Sequence, residues 1–167
     1  MGFDDIVCKN DDERFMLEAM REAELAACMD EVPVGAVIVK NGEIIARAHN
    51  LVETSGRSAA HAEMLAIEAA ESALGAKWLP GTAIYVTLEP CSMCAGAMVL
   101  ARIPRLVIGA DDPKTGACGS VFNIASNEKL NHRLEISRGV LGEECSGQIR
   151  SYFRSKREKQ KNDHTEE

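Results

Sequence analysis

Two short stretches carry side chains of the kind that can do chemistry. His61 and Glu63 stand two apart at the head of the apolar run HAEMLAIEAA, and Cys91 and Cys94 form a C-x-x-C pair within LEPCSMCAGA. On the first turn of a helix, positions i and i+3 share a face, so both thiols can converge on one ion. A helix N-terminus also lowers thiol pKa, and Pro90 keeps the chain extended just before the turn. With His61 supplied from another helix start, the donors are two soft sulfurs and one imidazole, a set that favours zinc over magnesium or calcium. A structural zinc site closes with four protein donors, whereas a catalytic one keeps three and leaves a position for water.

Glu63 separates these readings. Zinc lowers the pKa of a bound water from about 15.7 to about 7, making hydroxide available at neutral pH. Splitting out ammonia then requires protons to move from that water to the leaving nitrogen, and an adjacent carboxyl group can carry them. A lone H-x-E is ordinarily just a favourable acid on a helix's first turn. The C-x-x-C spacing also suits a thioredoxin-like redox pair, and a closed zinc knuckle could recruit Cys118 or His49. Neither of the last two accounts for Glu63 beside His61. The remaining cysteines (Cys8, Cys28, Cys118, Cys145) read as small apolar residues, and His132 and His164 have no partner motif.

The elements that must position these groups follow from hydrophobic periodicity. Asp11 can cap a helix in which Met16, Met20, Ala23 and Ala27 recur at helical spacing, to about Met29. VGAVIVK and EIIARAH are strand-like runs joined by Asn41-Gly42, a favoured two-residue hairpin turn. A helix is predicted from about His61 to Leu74, a strand from Thr82 (TAIYVTL), a helix from about Cys91 to Ala101 and a strand RLVIGA after Pro104. An irregular or short helical stretch around 121–130 precedes a strand RLEISRGV and a long helix from about Gly142. Strand, helix and strand after Thr82 demand a right-handed parallel crossover, which gives an α/β fold: a mixed five-strand sheet with helices on both faces. Sites in such sheets form at strand C-termini and adjacent helix starts, where both stretches sit.

The chain has 167 residues, enough for one domain with a substantial core. No apolar run approaches the roughly 18 residues of a membrane span. The acidic, polar N-terminus shows neither a secretory nor a lipidation signal, so a soluble cytoplasmic protein is expected, with no protein partner evident. Net charge is −7, yet Arg150, Arg154, Lys156, Arg157, Lys159 and Lys161 face Glu158 alone near the C-terminus. An acidic body with a basic tail hints at an anionic partner.

His61-Ala62-Glu63 followed by Pro90-Cys91-Ser92-Met93-Cys94 resembles the signature of the zinc-dependent nucleobase deaminases. Within that superfamily the chain is similar to the bacterial tRNA-specific adenosine deaminases from about Phe15 to Lys156. The matching stretches are EVPVGAVIV, AHAE, YVTLEPCSMCAGAM, DPKTGACGS, NHRLEISRGVL and YFRSKR. The resemblance implies a three-layer αβα cytidine-deaminase-like fold, with 1–10 a flexible N-terminus, 11–157 the deaminase domain and 158–167 a polar tail. It implies one zinc per subunit on His61, Cys91 and Cys94, with Glu63 relaying the proton as hydroxide attacks the amine-bearing carbon. It further implies that Asn50 hydrogen-bonds the adenine, that the backbone of Ala62 and of the Leu88-Glu89 turn completes the pocket, and that Val34 packs on the base. Asp112, Lys114, Phe153, Arg154 and Arg157 would face the anticodon stem-loop of a tRNA, edited at its wobble position by a homodimer. Three departures stand out: His49 in place of a Trp, Arg57-Ser58-Ala59 in place of Asp-Pro-Thr, and Leu100-Ala101 in place of His-Ser. A deaminase of a free base or nucleoside, such as guanine or cytosine, would keep the same zinc site without needing the basic helix. A non-catalytic zinc- or RNA-binding module would be indifferent to Glu63.

Overall fold

Alternate residues of each strand point to opposite faces of the sheet, and here each face recruits its own helices. The computed structural model describes residues 2–163, so the His164 reading and part of the expected polar tail lie outside the described residues. In chain order the elements are α1 (Asp11–Cys28), β1 (Gly35–Lys40), β2 (Glu43–His49), α2 (Val52–Ser55), α3 (Ala62–Leu74), β3 (Thr82–Leu88), α4 (Ser92–Leu100), β4 (Arg105–Ala110), β5 (Glu135–Ser137) and α5 (Gly142–Asp163). The strands lie in the order β2-β1-β3-β4-β5, antiparallel from β2 to β3 and parallel from β3 to β5. The β3-α4-β4 unit is the expected parallel crossover.

Val37, Val39, Tyr85 and Val107 face α1 and α5, packing with Phe15, Met16, Met20 and Cys145. The intervening residues Ala36, Ile38, Ile84, Val86, Leu106 and Ile108 face α3 and α4, meeting Ala66, Ala70, Cys94 and Met98. Each buried aliphatic side chain stabilises by about 1.5–3 kcal/mol. The result is a three-layer αβα architecture around a mixed five-strand sheet. At Gly35 an added Cβ would lie 1.9 Å from the Ala19 carbonyl oxygen, so the close seating of α1 on β1 requires glycine.

Asn41 and Gly42 turn the β1-β2 hairpin with φ of 52° and 76°, as the sequence predicts. Other boundaries differ. The cap of α1 is Asn10 rather than Asp11: Asn10 is extended and its side chain accepts from the Glu13 N–H at 2.9 Å, leaving Asp11 as the first helical residue. The last strand keeps only three residues, because Gly139 and Leu141 take positive φ values of 76° and 51° and turn the chain into α5. The single-turn α2 carries no sequence signal long enough to read. Residues 121–130 are irregular, tied back by a bridge between Cys118 and Asn123. Phe3 and Ile6, ahead of α1, pack against the α1-side core. Among the described residues no helix is long and apolar enough to cross a membrane.

Candidate active site

His61 and Cys91 are the N-caps of α3 and α4, both extended, and neither side chain makes a capping hydrogen bond. Ser, Thr, Asp or Asn would normally spend its side chain on the helix there. These two are left free to face each other, and Cys94, one turn into α4, joins them. His61 Nδ1 lies 3.5 Å from Cys94 Sγ and 3.7 Å from Cys91 Sγ, and the three donor atoms all fall within 4.8 Å of one another. Tetrahedral zinc with bonds of about 2.05 Å to nitrogen and 2.3 Å to sulfur needs an N···S separation of about 3.6 Å. The residues therefore fit the ion. No other such group of three His, Cys, Asp or Glu side chains occurs among the described residues. Cys118 stays apart, its Sγ directed at the Pro90 carbonyl, and His49 instead pairs with Glu22 at 2.8 Å. His132 bonds the Ile103 carbonyl.

The electrostatics suit a cation. Hydrogen bonds donated by Cys94 and by His61 hold the Cys91 thiol down at about 4, against the opposing effect of burial. The bond from Cys94, together with burial, pushes Cys94 itself upward, and His61 is raised through its bond to Cys91. Were Cys91 and Cys94 both to ligate a metal, both would be thiolates, because a ligating thiol is deprotonated outright. Glu63, on the first turn of α3, is buried, and that burial pushes its carboxyl up to about 7. Its carboxyl touches Cys94 and lies in the field of His61. A buried carboxyl poised near neutrality can both take and give a proton.

A cavity of about 300 Å³ opens onto this group, and His61, Ala62, Glu63, Leu88, Glu89, Cys91, Val34, Asn50 and Asp112 all line it. Asn50 is buried and donates to Glu31, itself wholly buried. Asp112 folds its carboxylate onto the backbone of Lys114 and Thr115 and onto the Thr115 hydroxyl. Lys114 is exposed and outside the lining; Phe153, Arg154 and Arg157 are exposed along α5 and likewise outside it. The structure docks α5 on the chain just ahead of the cavity: the Tyr152 hydroxyl donates to the Asp30 carbonyl at 3.0 Å, and Lys156 pairs with the Asp30 carboxylate at 2.5 Å. Val32, two residues on, lines the cavity with Val52, Glu53 and Thr115. The sequence assigns none of these four, nor Glu31, a site role, although Glu31 and Val32 fall within EVPVGAVIV and Thr115 within DPKTGACGS. A larger hollow of about 730 Å³ lies between α1, α5 and the N-terminal segment, well separated in its lining from His61 and Glu63. Of the three departures, His49 is held by α1, whereas Arg57 and Leu100 border a groove with Trp78 on the α3-α4 face.

Residues 10–149 match the model of the MafB19-like deaminase family. A tRNA-specific adenosine deaminase of Bacillus subtilis is 55% identical over 150 residues, spanning 90% of this chain and 93% of that one. One from Streptococcus pyogenes is 46% identical over 148 residues, 89% of this chain and 93% of its own. A solved structure from a study of A-to-I editing by tRNA:A34 deaminases at the wobble position of transfer RNA superposes with a TM-score of 0.78 at 44% identity, covering 81% of this chain and 98% of that one. Both helix starts and the cavity walls fall inside these matched spans, and the chain belongs to the MafB19-like deaminase family, among the tRNA-specific adenosine deaminases.

Proposed function

We propose that the chain is a zinc-dependent hydrolase that converts adenosine to inosine at the wobble position of tRNA anticodons, acting in the cytoplasm as a homodimer with one zinc per subunit. The observation that carries this reading is a buried carboxyl, Glu63, beside the His61-Cys91-Cys94 donor set in a cavity of about 300 Å³. His61, Cys91 and Cys94 would hold the ion, which when bound supplies hydroxide at neutral pH and so the nucleophile that hydrolysis of an amine requires.

The chain's own residues do the rest. Glu63 takes a proton at its carboxyl oxygen and passes it to the departing amine, a task its buried place in the cavity beside His61 and Cys91 suits. Asn50, fixed by Glu31, presents its side-chain amide to the polar edge of a purine. Val34 and Leu88 offer apolar walls, and the backbone of Ala62 and Glu89 closes the remaining side. A cavity of this kind admits a base only after it leaves its stack, and an anticodon loop already presents unstacked bases. Phosphates require positive charge nearby, which the acidic body does not offer; Lys114, Arg154 and Arg157 do, with Phe153 and Asp112 beside them. The exposed Leu100 and Trp78 on the α3-α4 face support self-association.

Incubating the purified protein with total tRNA and sequencing for inosine tests the reading. Inosine is expected at the first anticodon position of at least one tRNA. Its absence everywhere, with zinc confirmed in the protein, points to a free base or nucleoside as substrate.

A further inference from the structure

Glu89 sits in the turn between β3 and α4, two residues before Cys91, and its side chain is wholly buried. An ionised carboxylate offers about four lone-pair positions. Here they are taken up by one loop: Oε2 accepts from the Asp112 N–H at 3.0 Å and from the Ser120 hydroxyl, and Oε1 accepts from the N–H groups of Cys118 and Ser120, both at 3.1 Å. Arg138, just beyond β5, adds an ion pair at 3.1 Å and also donates to the Cys118 carbonyl and to Asp111. A buried charge is tolerated only when so satisfied.

The loop wraps tightly around this carboxylate. A Cβ at Gly116 would fall 2.5 Å from Glu89 Oε2, so the backbone passes directly over it. Within the loop, Gly116 N–H bonds the Asp112 carbonyl and Phe122 N–H bonds the Gly116 carbonyl, which closes local turns but does not anchor them. The anchors to the β3-α4 turn are Glu89, a backbone bond from Ala117 to the Pro90 carbonyl and a long contact from Cys118 Sγ to the same carbonyl. Asp112 and Thr115, joined by a 2.7 Å hydrogen bond, are the part of the loop that lines the cavity beside His61 and Glu63. The Glu89 side chain itself has no acceptor position left for a substrate.

We propose that Glu89 is a positioning residue, whose buried carboxylate, braced by Arg138, holds the 111–122 loop so that Asp112 and Thr115 form one wall of the substrate cavity. Its activity readout rests on the tRNA reading above; its structural readout does not. Glu89→Gln keeps the shape but turns acceptor positions into a donor facing other donors. Zinc content stays at the wild-type value, while kcat/KM on an anticodon stem-loop falls about ten- to hundred-fold, chiefly through KM. Hydrogen exchange at the Asp112, Cys118 and Ser120 amides accelerates at least about ten-fold relative to β3 and β4, as expected when the acceptor is lost. Loop amides as protected as in the wild type, or activity lost only in proportion to zinc with KM unchanged, overturns the proposal. If Glu89→Gln does not fold, Ser120→Ala and Arg138→Met each remove one partner of the Glu89 carboxylate and are expected to raise KM about five-fold; unchanged KM and unchanged loop exchange in both overturn it. Wild-type protein that makes no inosine on the stem-loop refutes the substrate assignment alone, and amide exchange still decides the role of Glu89.

Discussion

Asn50 donates its side-chain amide to Glu31 Oε2 at 3.3 Å, and the other oxygen of the same wholly buried carboxylate accepts from the Thr54 backbone at 2.5 Å. The amide that faces the cavity is thus held by an acid that does not. Glu31→Ala leaves Asn50 and the Thr54 N–H without this acceptor, so it is expected to cost about 1–3 kcal/mol of stability and about ten-fold in kcat/KM. A double-mutant cycle with Asn50→Ala checks the route: losses in activity should overlap rather than add. Full additivity would show that Glu31 acts elsewhere.

Glu63→Ala removes the proton carrier and leaves the donor atoms in place. Turnover should fall by about 10²- to 10⁴-fold while zinc content is kept. Measuring both on the same preparation decides it, since a rate near wild type leaves the carboxyl without a catalytic role.

Cys94→Ser replaces a buried soft donor by a hydroxyl that does not ionise at neutral pH. The expected outcome is loss of most bound zinc and of activity together, with the melting temperature lowered. Chelation of the wild type should reproduce the loss, and added zinc should restore it. Metal content by atomic absorption and inosine yield are the two readings; full activity in chelated protein contradicts the assignment.

Arg154 and Arg157 are exposed on α5, so replacing both by Ala should leave the melting temperature unchanged within about 1 °C. If they face phosphates, KM for tRNA rises and the slope of log affinity against log salt falls by about two. Truncation after Tyr152 also removes the Lys156-Asp30 pair and should weaken tRNA editing further. A truncated protein with full tRNA activity rules the helix out of RNA binding.

Asp12 joins α1 to the sheet, accepting from Arg105 at 2.7 and 2.8 Å and from the Tyr85 hydroxyl at 2.8 Å. The hydrogen bonds from Arg105 hold its carboxyl below the ordinary 3.8, against the opposing effect of burial. Its ionised form therefore contributes stability above about pH 4, and that contribution fades as pH falls through the lowered value. Asp12→Asn should lower the melting temperature by about 2–4 °C at pH 7 for each kcal/mol lost, with the gap to wild type narrowing as the solution is acidified below the ordinary 3.8. Thermal melts of both proteins across that range check it; a gap that persists unchanged in acid contradicts the ion-pair account.

Much of this was legible along the chain because short-range backbone sterics decide it. Asn41-Gly42 fixes a hairpin, the short apolar runs GAVIVK and TAIYVTL mark strands buried on both faces, and C-x-x-C at a helix head puts two sulfurs on one face. His61, 30 residues earlier in the chain, completes the donor set from a second helix start, and the likeness to a known signature agrees with it. The choice of Asn10 over Asp11 as cap is not legible in the letters, since both are favoured cap residues and only the packed helix selects one.

The sequence by itself determined the kinds of atom available for chemistry and the elements that carry them. Tertiary structure alone decided which acids became buried frameworks. Glu31 and Glu89 look like any surface carboxylates in a row of letters, because what keeps a buried charge tolerable is its donors, and those arrive from 19 to 31 residues away or, in Arg138, from beyond β5. Only a folded sheet, closing those intervals at once, brings Thr54 and Asn50 to one carboxylate and Asp112, Cys118 and Ser120 to the other.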